Sequence, residues 1–290
     1  MTGAALALAV LGHGVVDPSK PWLHADDEGV LRGRAAFETM RIYGGLPFRL
    51  EDHLVRLAAS AEVLDLPWPD GEALAHLARE AVTAAAAPDA VLRVVWTAGR
   101  EGDDYGVGFA LVTSLPDGLE EQRKAGIALA GLPLAIGAHA RAASPWLLPG
   151  VKSTSYAVNM AAQREARRRG ADDAIFLSLE GVVFEGPTSN LWFREGEMLC
   201  TPALDLGILA GVTRDSLLAA AEEQGKPVLE DAFPIERVLA AEEVFTSSSV
   251  REVMPVTSID GQQIGDGTPG PVAAQMQQAL RGQAVVDPVD

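Results

Sequence analysis

The 290-residue chain has little of what would tie it together covalently or anchor it to a charged polymer. Its one cysteine, Cys200, cannot form an internal disulfide, so a reducing compartment fits best. Bases are scarce, with 23 Lys+Arg against 40 Asp+Glu and a formal net charge of −17. A nucleic-acid backbone or an anionic membrane calls for a basic surface, so neither is expected as a partner. No apolar run approaches the ~20 residues of a membrane-spanning helix. The stretch from Ala4 to Leu11 is apolar, but it lacks a basic flank and a clear cleavage site, and it reads as a first strand. The expectation is a soluble, cytoplasmic protein whose acid excess serves solubility. Hydrophobic residues make up 48% and charged residues 22%, which suits a sizeable core. The length suits two domains.

The pattern alternates strand-like and helix-like segments, without a fixed repeat, and implies a mixed α+β fold. Strands are expected at 37–43 and 46–50 around Gly44-Gly45. A helix follows over 51–64, with Leu54, Leu57, Ala61 and Leu64 on one face and Pro67 and Pro69 as its stop. A second helix is expected over 72–87, then strands at 90–98, 107–114 and 126–132. The boundaries drawn from this are an N-terminal domain over 1–132, a Pro-containing connector over 133–151 and a C-terminal domain over 152–290. The second half reads as a helix over 153–169 and strands at 173–179, 182–185 and 190–194. A helix over 213–224, a short helix over 235–241, a strand over 243–248 and a helix over 271–281 complete it. Arg167-Arg168-Arg169 closes a helix, where cations suit the macrodipole without any ligand.

Lysine is rare, with only Lys20, Lys124, Lys152 and Lys226. Lys152 stands between the connector and a helix start, with Tyr156 four residues on. A lysine amine adds to carbonyls when desolvation or a nearby cation depresses its pKa. On its own, such a lysine is more often a surface residue. Two further segments bear on it. In Val183-Phe184-Glu185-Gly186-Pro187-Thr188-Ser189-Asn190 a carboxylate ends a strand and a small polar turn follows. In Gly207-Ile208-Leu209-Ala210-Gly211-Val212-Thr213-Arg214 the glycines permit close backbone approach, and Thr213 is placed to cap a helix whose N-terminus suits phosphate. No metal site is expected.

Taken together these segments resemble the class IV aminotransferases, the fold-type-IV pyridoxal-phosphate enzymes. The pieces occur in family order: Phe37-Glu38-Thr39-Met40-Arg41, His53-Leu54-Val55-Arg56-Leu57, Lys152, the Glu185 segment, Gly207 to Arg214, and Glu243 to Ser249 with Val253-Met254-Pro255-Val256. The resemblance implies a two-domain fold like that of D-amino-acid aminotransferase, with pyridoxal 5'-phosphate held between the domains of a homodimer. It implies that Lys152 holds the cofactor covalently and moves the proton, and that Glu185 partners the pyridine nitrogen. Tyr156 would lie near the phenolic oxygen and Leu209 against the ring. Arg56, Val212, Thr213 and Ser249 would form the phosphate cup, with Ser189, Asn190, Gly211 and Ser248 as further cofactor contacts.

The same resemblance points to a reaction. Phe37-Glu38-Thr39, and Lys152-Ser153-Thr154-Ser155-Tyr156, look like the aminodeoxychorismate lyases, where the threonine hydroxyl lies near the reacting carbon. The branched-chain aminotransferases usually show Phe-Glu-Gly and Lys-Gly-Gly-Asn-Tyr. A lyase would eliminate pyruvate from 4-amino-4-deoxychorismate to give 4-aminobenzoate for folate. Lys152, Thr39 and Tyr156 are then the catalytic candidates, and Phe37, Thr39, Arg93, Arg100 and Ser249 line the substrate. For Arg93, mid-strand, a salt bridge within the fold is the alternative. The Arg-Gly-rich loop of the lyases is only partly present, as Gly99-Arg100-Glu101-Gly102, and Asp103 and Asp104 would repel a dicarboxylate. That keeps open a class IV aminotransferase acting on branched-chain or D-amino acids. An inactive binding protein fits less well with intact Lys152, Glu185 and Arg56.

Overall fold

The computed structural model describes residues 3–68 and 71–286. Pro69, expected to help end a helix, lies outside the described residues. The chain divides into two compact units. One runs to Asp117 and takes in Val151–Tyr156, and the other comprises Gly118–Gly150 and the chain from Ala157 on.

The first unit contains β1 (Ala5–Val10), β2 (Gly14–Val16), α1 (Glu28–Leu31), β3 (Ala35–Tyr43) and β4 (Leu46–Pro47). They are followed by α2 (Leu50–Val63), α3 (Gly71–Ala85), β5 (Asp89–Thr97) and β6 (Gly108–Thr113). Its sheet is antiparallel, in the order β2-β1-β6-β5-β3-β4. Gly44 and Gly45, both with positive φ, make the tight β3–β4 turn. The turn leaves β4 only two residues long, because the chain enters α2 at Leu50, within the expected second strand. Leu54, Leu57 and Ala61 of α2 and Leu74, Leu77, Ala78 and Ala81 of α3 pack on Met40, Ile42, Leu92 and Val94. That is one face of the sheet, since alternate strand residues share a face.

The second unit contains α4 (Leu119–Ala125), β7 (Ile127–Pro133), α5 (Ala157–Arg168), β8 (Asp173–Leu177), β9 (Asn190–Glu195), β10 (Met198–Pro202) and α6 (Val212–Glu223). It ends with β11 (Val228–Asp231), α7 (Ile235–Leu239), β12 (Glu243–Ser248), β13 (Glu252–Ile259), β14 (Gln262–Gln263) and α8 (Pro271–Val286). The sheet order is β11-β10-β9-β12-β13-β7-β8, with β14 beside β13. It is mixed, because β7 runs parallel to both β8 and β13 while β9, β12 and β13 pair antiparallel. Its core joins Leu191, Phe193, Val244, Met254 and Phe233.

Both units mix sheet and helix, as the alternation of the sequence implies. Four local expectations change. The segment 126–132, assigned to the first half, is β7 of the second sheet, where two parallel partners cover it. Lys152, assigned to the C-terminal part, groups with the first unit. The helix expected from 153 starts at Ala157, because Phe37 N–H donates to Lys152 C=O and Thr154 N–H to Ala35 C=O along the β3 edge. Of the strand expected over 182–185, only Val182 and Val183 pair, as isolated bridges to Pro234 and Leu177. Among the described residues no helix is long and apolar enough to cross a membrane. In the arginine run, Arg168 and Arg169 pair with Glu165 of their own helix.

Candidate active site

In the first unit the candidate residues Phe37, Thr39, Lys152 and Tyr156 lie on or beside β3. Lys152 lies in the bridged segment, and its Nζ stands 4.6 Å from the centroid of the Phe37 ring. The Tyr156 ring meets the same Phe37 edge-on at 5.2 Å. Since α5 begins one residue later, Lys152 and Tyr156 do not share a helical face, and Phe37 brings them together instead. Across the sheet Phe37 pairs with Val95, and Thr39 with Arg93. Directly opposed residues of an antiparallel pair project to one face, so Thr39, Arg93, Phe37 and Val95 share that surface. Arg93 makes no ion pair among the described residues, which removes the salt-bridge alternative. Burial lowers its pKa, partly opposed by Tyr156. Arg100 lies in the loop after β5 and pairs with Asp26 at 3.0 Å, both groups exposed.

On the other face, where α2 packs, Glu38 is fully buried. Arg56 donates to it through Nε and Nη2, both at 2.7 Å, and His53 Nδ1 stands 2.7 Å from the same carboxylate. Burial would raise the Glu38 pKa, but the Arg56 and His53 hydrogen bonds outweigh it and hold the acid at about 2. Burial lowers the His53 pKa, and Glu38 only partly restores it. Arg56, expected at a phosphate, thus has one edge of its guanidinium committed to a carboxylate.

In the second unit the backbone does most of the work. Phe176 N–H donates to Glu185 C=O, which holds that residue beside β8. The Glu185 carboxylate accepts the Leu209 N–H at 3.1 Å and lies 3.5 Å from Arg141. Arg141 was not foreseen: it lies in the irregular 133–151 stretch, where no periodicity marks it. Buried Asn190 donates to Leu209 C=O at 2.9 Å, so the Leu209 peptide is gripped at both ends. Asn190 therefore serves the loop, and its Oδ1 occupies the space that a Cβ on Gly211 would need. That Gly211, not Thr213, is the N-cap of α6, with no side-chain cap bond. Val212 and Thr213 form the first turn, whose N–H groups have no intrahelical partner.

Ser189 C=O accepts from Gly186 N–H, which closes the turn after Glu185. Ser248 ends β12, and Ser249 begins the turn into β13. That turn is braced, because buried Glu252, at φ 57°, accepts from Arg123 and Arg281, and Arg123 also donates to Arg251 C=O.

The chain as a whole is similar to known proteins in sequence and in fold. The amino-transferase class IV family model matches residues 35–259. The chain is 32% identical over 260 residues to a bifunctional aminodeoxychorismate lyase / D-amino acid transaminase of Mycobacterium tuberculosis, covering 86% of this chain and 90% of that one. A fold IV-transaminase from Curtobacterium pusillum superposes with a TM-score of 0.90 at 32% identity, covering 97% and 99% of the two chains. The PLP-bound form of a hypothetical aminotransferase from Mycobacterium tuberculosis gives a TM-score of 0.91 at 30% identity, covering 97% and 100%. The chain belongs to the class IV aminotransferases, and it is a fold-type-IV pyridoxal-phosphate enzyme acting on small amino substrates.

Proposed function

We propose that the enzyme is a 4-amino-4-deoxychorismate lyase that releases pyruvate and 4-aminobenzoate in the folate pathway, as a cytoplasmic homodimer. The observation that carries this reading is Thr39 set directly opposite Arg93 on the sheet face that also bears Phe37. A hydroxyl and a cation without an ion pair among the described residues suit a substrate whose leaving group, on the carbon that eliminates, carries a carboxylate. The relative whose name includes this lyase activity supports it.

The residues fit the cofactor by their chemistry. Lys152 supplies an amine for its aldehyde and Glu185 a carboxylate for its ring nitrogen. Arg56, the uncapped first turn of α6 with Val212 and Thr213, and Ser249 supply donors for its phosphate. Leu209 supplies an apolar surface, and Gly211 leaves room for the Asn190 amide that holds the Leu209 backbone. Ser189, Asn190 and Ser248 belong to the turns that carry these groups. When bound, the cofactor supplies an electron sink for the electrons of the broken bond.

The remaining work falls to this chain. Glu185 holds the proton on the ring nitrogen, because an opposite charge favours the cationic form. Lys152 takes the proton from the substrate carbon that bears nitrogen. The neighbouring C–O bond breaks, the enolpyruvyl group leaves and is protonated to pyruvate, and the ring becomes aromatic. Thr39 assists proton transfer at that carbon, and Tyr156 beside Phe37 orients the cofactor's phenolic oxygen. Arg93 receives a substrate carboxylate.

A second reading, amino transfer from D- or branched-chain amino acids, is favoured by one observation. Aminodeoxychorismate carries two carboxylates, and Arg100 is already taken by Asp26, so Arg93 alone matches a monocarboxylate better. Assaying pyruvate release from aminodeoxychorismate beside amino transfer from a panel of D- and L-amino acids separates the readings. In the lyase, Thr39→Ala lowers pyruvate release by about 10²-fold or more while cofactor absorbance stays intact. In the aminotransferase the same change acts mainly on apparent substrate affinity. A wild type that transaminates rapidly and releases no pyruvate overturns the lyase.

A further inference from the structure

His53, Arg56 and Ser60 follow one another on α2 at spacings of three and four residues, so they form one stripe. The first two serve Glu38. Ser60, 3% exposed, does something else: its Oγ accepts the backbone N–H of Lys152 at 3.1 Å. On the other side of the same residue, Phe37 N–H donates to Lys152 C=O at 3.0 Å. Lys152 is therefore clamped at both of its backbone polar groups, once by strand backbone and once by a helix side chain. An N–H needs an acceptor when water is excluded, and Ser60 supplies one from the stripe that also carries Arg56.

We propose that Ser60 is a positioning residue for Lys152, fixing its main chain so that the amine stands over Phe37 and at a set offset from Arg56. This rests on the reading of Lys152 as the cofactor lysine. A misplaced reactive group loses rate even when nothing it touches directly is altered.

The test is Ser60→Ala in the full-length protein, a change that keeps the helix and removes only the acceptor. Amide hydrogen exchange reports the bond itself: exchange at Lys152 should rise about tenfold, as expected for a lost hydrogen bond of ordinary strength, while neighbouring α2 amides keep their protection. Covalent trapping reports the amine. With cyanoborohydride present, which reduces the imine and spares the free aldehyde, the rate at which pyridoxal 5'-phosphate labels Lys152 should fall by about tenfold. Plain pyridoxal, which has no phosphate for Arg56 to hold, should show the same fall. A merely structural serine would lower the melting temperature and leave both the exchange at Lys152 and the trapping rates at wild-type values, which overturns the proposal. A fall with the phosphate ester alone also overturns it, because the defect would then lie in anion binding. Failure of the underlying reading looks different: in wild type the label would appear on Lys20, Lys124 or Lys226. Lys152 exchange would still decide whether Ser60 holds the backbone.

Discussion

The surroundings of Glu38 in the first unit and of Glu185 in the second hold their polar groups in different ways. In the first, side chains satisfy one another out of water, with the Glu38 carboxylate paired to the Arg56 cation and hydrogen-bonded to His53. In the second, around Glu185 and the start of α6, peptide groups and glycines carry the arrangement: Leu209 N–H, Leu209 C=O, and Gly211 as a cap without a side chain. A side-chain network is vulnerable at each ionisable member and to pH. A backbone arrangement is vulnerable where a Cβ is added, and barely to pH.

The largest expected effect is Glu38→Gln. Removing one member of a buried ion pair leaves the other uncompensated, which costs about 3–5 kcal/mol. Urea unfolding at pH 7 measures it, and a loss under about 1 kcal/mol would show that Arg56 finds water instead. The pH dependence has a definite sign. Glu38 is held at about 2 against an ordinary 4.5, so its contribution is complete above pH 4.5 and fades as pH falls towards 2. His53, held below its ordinary 6.5, adds in the same direction, since protonation favours the unfolded chain as pH falls through 6.5. In Glu38→Gln the slope of stability between pH 4.5 and 2 should therefore be shallower than in wild type.

Next comes Gly211→Ala, the matching lesion in the second unit. The added methyl meets Asn190 Oδ1, and overpacking of this kind costs about 1–3 kcal/mol. Its loss should be the same at pH 7 and pH 4, and a pH-dependent loss would break the contrast between the units. The smallest effect is Glu165→Ala. Its pairs with Arg168 and Arg169 lie on the surface of α5, and the melting temperature should move by about 1 °C or less. A larger shift would give that arginine run a role beyond its helix.

The contrast also explains what could be read from the sequence. The α2 stripe was visible in the spacing of Leu54, Leu57 and Ala61, and Lys152 stood out because lysine is so rare in this chain. The start of α5 was not visible. The Thr154 N–H and the Ser155 hydroxyl are spent on Ala35 C=O and Gly33 C=O at the start of β3, contacts more than a hundred residues away in sequence. β7 reads as an apolar run, and such a run does not say which sheet will take it. Thr213 is a good cap by residue type, but Asn190 at Leu209 fixes the loop so that Gly211 takes the position. Arg141 meets Glu185 from an irregular stretch, where nothing repeats to mark it.

The return of residues 151–156 to the first unit bears on biosynthesis. A nascent chain that has emerged only to Asp117 contains the six strands of the first sheet, yet the Phe37 N–H and Ala35 C=O on the β3 edge still lack the partners that Lys152 and Thr154 provide. At about 5–20 residues per second the ribosome needs seconds to deliver them. During that interval the strand presents an open edge beside an apolar face, the kind of surface that pairs with other chains. A truncation after Asp117 makes that interval permanent, so such a fragment should aggregate, and it would also lack Lys152, the residue proposed to supply the amine.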